Sequence, residues 1–191
     1  MAKADAEASK RERRKTIKWV VTIFFVTILI SGTISLVSDE VMANSSVAVA
    51  FVILLAIIFL GIIFDIIGMA VATADEKPFH SMAARKVPGA YEAIRLLRNA
   101  ERGSSICNDV VGDICGVVSG SASATIATLL LTNVEIGWPR GISLLMSALV
   151  AGLTVGGKAI GKTVAVSSCT QIGHLVGRMI RNWIRFTKKK K

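Results

Sequence analysis

Three carboxylates and two ammonium groups stand inside or beside stretches that are otherwise apolar, and their types and spacing set the chemistry open to this chain. Asp65 interrupts the end of one apolar run, and Asn108, Asp109 and Asp113 interrupt the start of another. Lys158 and Lys162 follow a third, one helical turn apart. Carboxylate and amide oxygens are the ligands that a hard cation such as Mg2+ takes, so Asp65, Asn108, Asp109 and Asp113 are a candidate metal set. The lysines offer the competing chemistry, because an ammonium pairs with a carboxylate that would otherwise shift its pKa or bind a cation. A carboxylate in the bilayer centre costs roughly 2.5–3.5 kcal/mol on insertion scales, so an acid there is read as functional by default. The plainer alternative is that these acids lie near an interface and are hydrated or paired.

The elements that must position these groups are apolar helices. Ser105–Leu131 is about long enough to cross a bilayer core. At roughly 100° per residue, Ser105, Asn108, Asp109, Gly112, Asp113, Gly116, Ser119, Gly120, Ser123 and Ala127 share one stripe of it. Gly112, Gly116 and Gly120 form a doubled small-xxx-small repeat on that stripe, which predicts close packing against another helix. Ahead of it lie Ile17–Val37 and Val47–Ala72, joined by a polar loop, Ser38–Ser46. The first run is too long for the h-region of a signal peptide, so it reads as a retained anchor despite the small residues Val41 and Ala43. Residues 73–104 are too polar to span. Within them Pro88 and Gly89 start an amphipathic helix running to about Arg102, with Ala90, Ile94 and Leu97 on its apolar side. Thr132–Arg140 is a turn carrying Trp138 at interface height. A fourth span begins at Gly141–Gly157 and runs into GGKAIGKT, and Thr163–Phe186 reads as a second helix in the interface plane.

With 52% hydrophobic residues, a mean hydropathy of +0.60 and three prolines in 191 residues, the chain is too apolar for a soluble domain. The net charge of +10 invites a nucleic-acid reading, but the cations flank the apolar runs, which marks membrane orientation; no nucleic-acid partner is expected. Of the 23 Lys and Arg residues, only Arg140 falls outside the two ends and the central segment. Four spans with both termini in the cytoplasm, in a multi-pass plasma-membrane protein, satisfy the positive-inside rule. At about 1.5 Å per residue, that topology brings Asp65, Asp109, Asp113, Lys158 and Lys162 to one layer in the inner half of the membrane. The domain reading is a basic tail (1–15), an N-terminal span (16–37), a transmembrane domain (47–186) and a basic tail (187–191).

No constellation points to an enzyme. His80 and His174 stand alone, and Ser119, Ser121 and Ser123 have no base at triad placement. The GKT at Gly161–Thr163 lacks the strand and the spacing of a phosphate loop. Cys107, Cys115 and Cys169 form no CxxC pair and read as small packing residues.

Four segments, in order, are similar to the transmembrane domain of the CNNM/CorC (CorB) family, associated with magnesium and cobalt transport. FDIIGMAVATAD, at the end of the second span, resembles the family's F-S-G-S-E-T-A. AYEAIRLLRNAERGSS resembles A-L-x-L-L-x-N-P-x-R-x-L-S, ICNDVVGD resembles I-G-N-N-L-V-N, and VGGKAIGKTVA resembles F-G-E-I-x-P-K-T-x-A. The likeness covers about Val47–Arg181. It implies an all-α membrane module with cytoplasmic juxtamembrane amphipathic helices, a homodimer, and a divalent cation held among small polar side chains and a glutamate of the last span. Asn108 and Lys162 match the pattern. Asp65 stands at the family's first serine, Gly112 at its second asparagine, Gly116 at its next serine, Gly161 at its proline and Lys158 at its glutamate. The family's tandem nucleotide-binding (CBS) domains are not part of this sequence.

Two functions follow. One is divalent-cation transport, or its regulation, in the cytoplasmic membrane. The other is a non-transporting membrane scaffold in which Lys158 replaces the bound cation, since a fixed positive charge repels a divalent ion and pairs with the acids.

Overall fold

The computed structural model describes residues 2–133 and 139–188, and every regular element in them is helical. The order is α1 (Ala2–Ala43), α2 (Val47–Thr73), α3 (Lys77–Ala84), α4 (Ala90–Leu97), α5 (Ala100–Ser105), a π-helical turn (Ile106–Gly112), α6 (Asp113–Asn133), α7 (Pro139–Ser167) and α8 (Cys169–Lys188). Four stretches are long and apolar enough to cross a membrane: Thr16–Met42, Val47–Thr73, Ala100–Thr132 and Arg140–Ser167. The protein is an all-α membrane protein. The turn carrying Trp138 and the last three lysines of the basic tail lie outside the described residues.

One stripe of α2 organises the fold. Ala50, Leu54, Ile58, Gly61, Asp65, Gly68 and Val71 are buried at three- and four-residue spacing, so a single face of the helix meets its neighbours. Its first half joins a core of Ala122, Ile126 and Ala127 from α6 with Met146 and Val150 from α7. Its last turn joins a second core with Phe79, Ala83, Ala90, Ala93, Ile94 and Leu97 from α3 and α4. Between these apolar clusters the stripe reads Gly61-Asp65-Gly68, and at that polar waist Asn108 and Cys115 of the third span and Lys158 of α7 approach α2.

Several boundaries differ from the sequence reading. The expected loop 38–46 is helical as far as Ala43, leaving only Asn44–Ser46 as the connection. Burial explains this: Met42 is fully buried in the first core, and Thr125 on α6 donates to Asp39 Oδ1 at 3.4 Å. Residues 2–15 are helical and continue α1. The amphipathic helix expected from Pro88 to Arg102 breaks after Leu97. The Asn99 side chain donates to the Arg95 carbonyl at 3.1 Å, satisfying one of the acceptors a helix C-terminus leaves free. The chain then restarts at Ala100 as the first turn of span three. Span four extends to Ser167, and the interfacial helix begins at Cys169 rather than Thr163.

α8 is docked under the bundle by two glycines. A Cβ on Gly173 would lie 2.9 Å from Phe79 Cζ, and one on Gly177 2.8 Å from Ala93 Cβ. Gly89, which precedes α4, has φ +94°, and a side chain there would meet Arg178 N at 2.6 Å. Only glycine satisfies both the left-handed backbone and that approach. His174 Nε2 adds a bond to the Pro88 carbonyl at 3.1 Å.

Candidate functional site

The polar waist is built where three helices cross. Gly61 lets Cys115 approach, since an added Cβ would lie 2.9 Å from Cys115 Cβ. Gly68 accepts the Asn108 side chain, whose amide carbon would be 2.7 Å from a Cβ at that position. Asp65 lies between the two glycines on the same face of α2. From the other side α7 closes in through Gly157 and Gly161, which pack on Ile62 and Ile66. This register carries Lys158 to the acid: its Nζ lies 4.0 Å from Asp65 Oδ1, with the side chains 24% and 10% exposed. The same ammonium sits 3.6 Å from where a Cβ of Gly112 would be, so Gly112 leaves room for it.

The second oxygen of Asp65 and Asn108 Oδ1 are both buried and without a hydrogen-bond partner among the described residues. Buried polar atoms of that kind are rare and call for an explanation. Asn108 belongs to the π-helical turn, and such turns occur often at functional sites because they break the i to i+4 ladder and re-aim side chains.

The expected acid layer is only partly assembled. Asp65 and Asn108 lie at the α2 crossing and Lys158 joins them there, but Asp109 and Asp113 are exposed. On a helix turning about 100° per residue they stand one step round from Asn108 and Gly112, which are the residues facing α2. The polar stripe of span three is wider than the contact that covers it. Accordingly, no three or more of His, Cys, Asp or Glu gather closely enough to hold a metal ion among the described residues. Of the four expected ligands, Asp65 is buried and Asn108 partly buried at the waist, while Asp109 and Asp113 are exposed. An ammonium at 4.0 Å from the buried Asp65 carboxylate is itself a poor neighbour for Mg2+. Lys162 is exposed and has no ion pair among the described residues.

The glycine repeat divides in the same way within the protomer. Gly112 is buried at the waist, whereas Gly116 and Gly120 have nothing within 4 Å of an added Cβ. Among the described residues no other helix comes within 4 Å of a Cβ added at either glycine. Ser119, Ser121 and Ser123 bond back to the carbonyls of Gly116, Val118 and Gly120 in their own helix at 2.8–3.0 Å, so their hydroxyls are occupied. His80 Nε2 lies 3.3 Å from Glu76 Oε2, and the three cysteines are free thiols.

The sequence reading passed over Gly61, and it took Cys115 as a packing residue without placing it beside Asp65. The signal was available in the four- and three-residue spacing of Gly61, Asp65 and Gly68, which puts two small residues beside a buried acid. No protein-family model, curated protein or solved structure matches the chain.

Proposed function

We propose that the protein is a multi-pass membrane scaffold related in plan to the CNNM/CorC transport module, with the Lys158 ammonium standing where such a module holds its cation. The observation that carries this reading is the Lys158–Asp65 pair across the α2–α7 crossing. A lysine fixed there supplies the positive charge that a buried carboxylate requires and repels a second cation from the same place. In this reading the protein sits in the plasma membrane with both termini in the cytoplasm. It pairs as a homodimer through the face of α6 that bears Gly116 and Gly120, whose neighbours Asp109 and Asp113 are exposed at membrane depth.

Divalent-cation transport is the second reading. What favours it is the pair of buried, unpartnered oxygens, Asp65 Oδ2 and Asn108 Oδ1, which are of the type a hard cation takes.

Thermal unfolding of purified protein with and without millimolar Mg2+, at fixed ionic strength, separates the two. The scaffold reading expects no Mg2+-specific shift in the native chain and a new shift in Lys158→Glu, which exchanges the ammonium for a carboxylate. A clear Mg2+-specific shift in the native protein sinks it.

A further inference from the structure

A groove of about 530 Å³ opens between α4, the start of α5 and α8, at the end of the bundle where span three begins. Leu96, Ile180 and Ile184 give it apolar lining. Arg95 and Arg102 also line it, both exposed, and neither guanidinium has an ion-pair or hydrogen-bond partner among the described residues. Glu92 also lines the groove, and no ion pair ties it to either arginine among the described residues. The nearby Arg98 is occupied elsewhere, with its Nε 3.8 Å from Glu76 Oε2.

The surroundings say what kind of molecule this groove meets. α8 carries Arg178, Arg181, Arg185 and Lys188 and no acid, and it leaves Leu175, Met179, Trp183 and Phe186 more than half exposed. A helix with that division lies in the plane of a membrane surface, its apolar face among acyl chains and its cations at headgroup level. The groove therefore opens into the headgroup region, with two guanidiniums and three aliphatic side chains in its lining. Guanidinium pairs match phosphate oxygens in geometry and charge.

We propose that this groove binds one anionic phospholipid, its phosphate on Arg95 and Arg102 and an acyl chain along Ile180 and Ile184. The occupant fastens α8 to α4 and α5 at the membrane surface. This rests on the chain spanning a bilayer and is independent of what the Lys158 layer does.

The full chain purified in neutral detergent is scanned for thermal stability with phosphatidylglycerol, with phosphatidylcholine of the same chains, and with inorganic phosphate alone. Phosphatidylglycerol is expected to stabilise at concentrations on the order of tenfold lower than phosphatidylcholine, and phosphate to do nothing. Arg95→Gln with Arg102→Gln should abolish that preference, whereas Arg181→Gln with Arg185→Gln, which removes equal charge outside the groove, should keep it. Native mass spectrometry of the unmodified chain provides a reading that needs no variant, with one retained phosphatidylglycerol expected per chain. Equal loading of the two lipids, a matching effect from phosphate, or equal loss in both double variants overturns the proposal.

Discussion

Replacing Lys158 with Met is expected to destabilise the protein through Asp65, by an amount the pair's geometry bounds. Two unit charges at 4.0 Å attract by about 4 kcal/mol at an effective dielectric of about 20. Lys158 retains some exposure and Asp65 almost none, so the acid loses more than the lysine when the pair is broken. Removing one member of a buried pair costs about 3–5 kcal/mol, because the remaining charge stays desolvated. For a chain of this length that corresponds to a fall in Tm of roughly 6–20 °C, taking about 2–4 °C per kcal/mol. The second mutation decides the mechanism. Asp65→Asn alone should also destabilise, while Lys158→Met combined with Asp65→Asn should recover most of the loss, since no uncompensated charge remains. Circular dichroism melts of the four proteins in one detergent give the coupling. A double variant as unstable as Lys158→Met alone would mean that the lysine acts through packing, and a single variant within about 2 °C of the parent would mean that water already fills the waist.

The glycines of span three and its partner should respond oppositely to a methyl group: Gly68→Ala, where the Asn108 side chain occupies the space, should cost about 1–3 kcal/mol in a thermal melt, while Gly116→Ala should leave protomer stability unchanged. If α6 pairs with a second copy through that ridge, Gly116→Leu should shift crosslinked dimer to monomer without lowering the protomer's melting point, and an unchanged dimer fraction would place the interface elsewhere. Gly177→Leu should release α8 from Gly89 and Ala93, read as faster proteolysis between Ser167 and Cys169. In a background lacking the native cysteines, a membrane-impermeant thiol reagent on intact cells should modify a cysteine at Asn44 and spare one at Lys188; the reverse pattern would invert the topology.

Much of this protein was legible in its composition. Four spans follow from uninterrupted apolar length, because lipid tolerates little else on a helix that crosses it. The interfacial character of α8 follows from the separation of Ile172, Leu175, Met179 and Trp183 from the arginines between them. That Asp65, Asp109, Asp113, Lys158 and Lys162 come to one level follows from counting residues from each end. Depth is a one-dimensional quantity, and helix rise converts sequence into it directly. Azimuth is different. Which part of a polar stripe about 140° wide meets a neighbour depends on how the helices are rotated and on how closely each crossing allows them to approach. The stripe on span three gave Asp109 and Asp113 the same standing as Asn108 and Gly112, but the neighbour lies to one edge of it. Gly61 and Gly68 on α2, with Gly157 and Gly161 on α7, set those crossings, and so they decided that Asn108 packs on Gly68 and Lys158 meets Asp65 while the other two acids are exposed. The sequence by itself determined the layer in which the charges lie; the packing of glycine against side chain, which no single helix encodes, decided which of them pair.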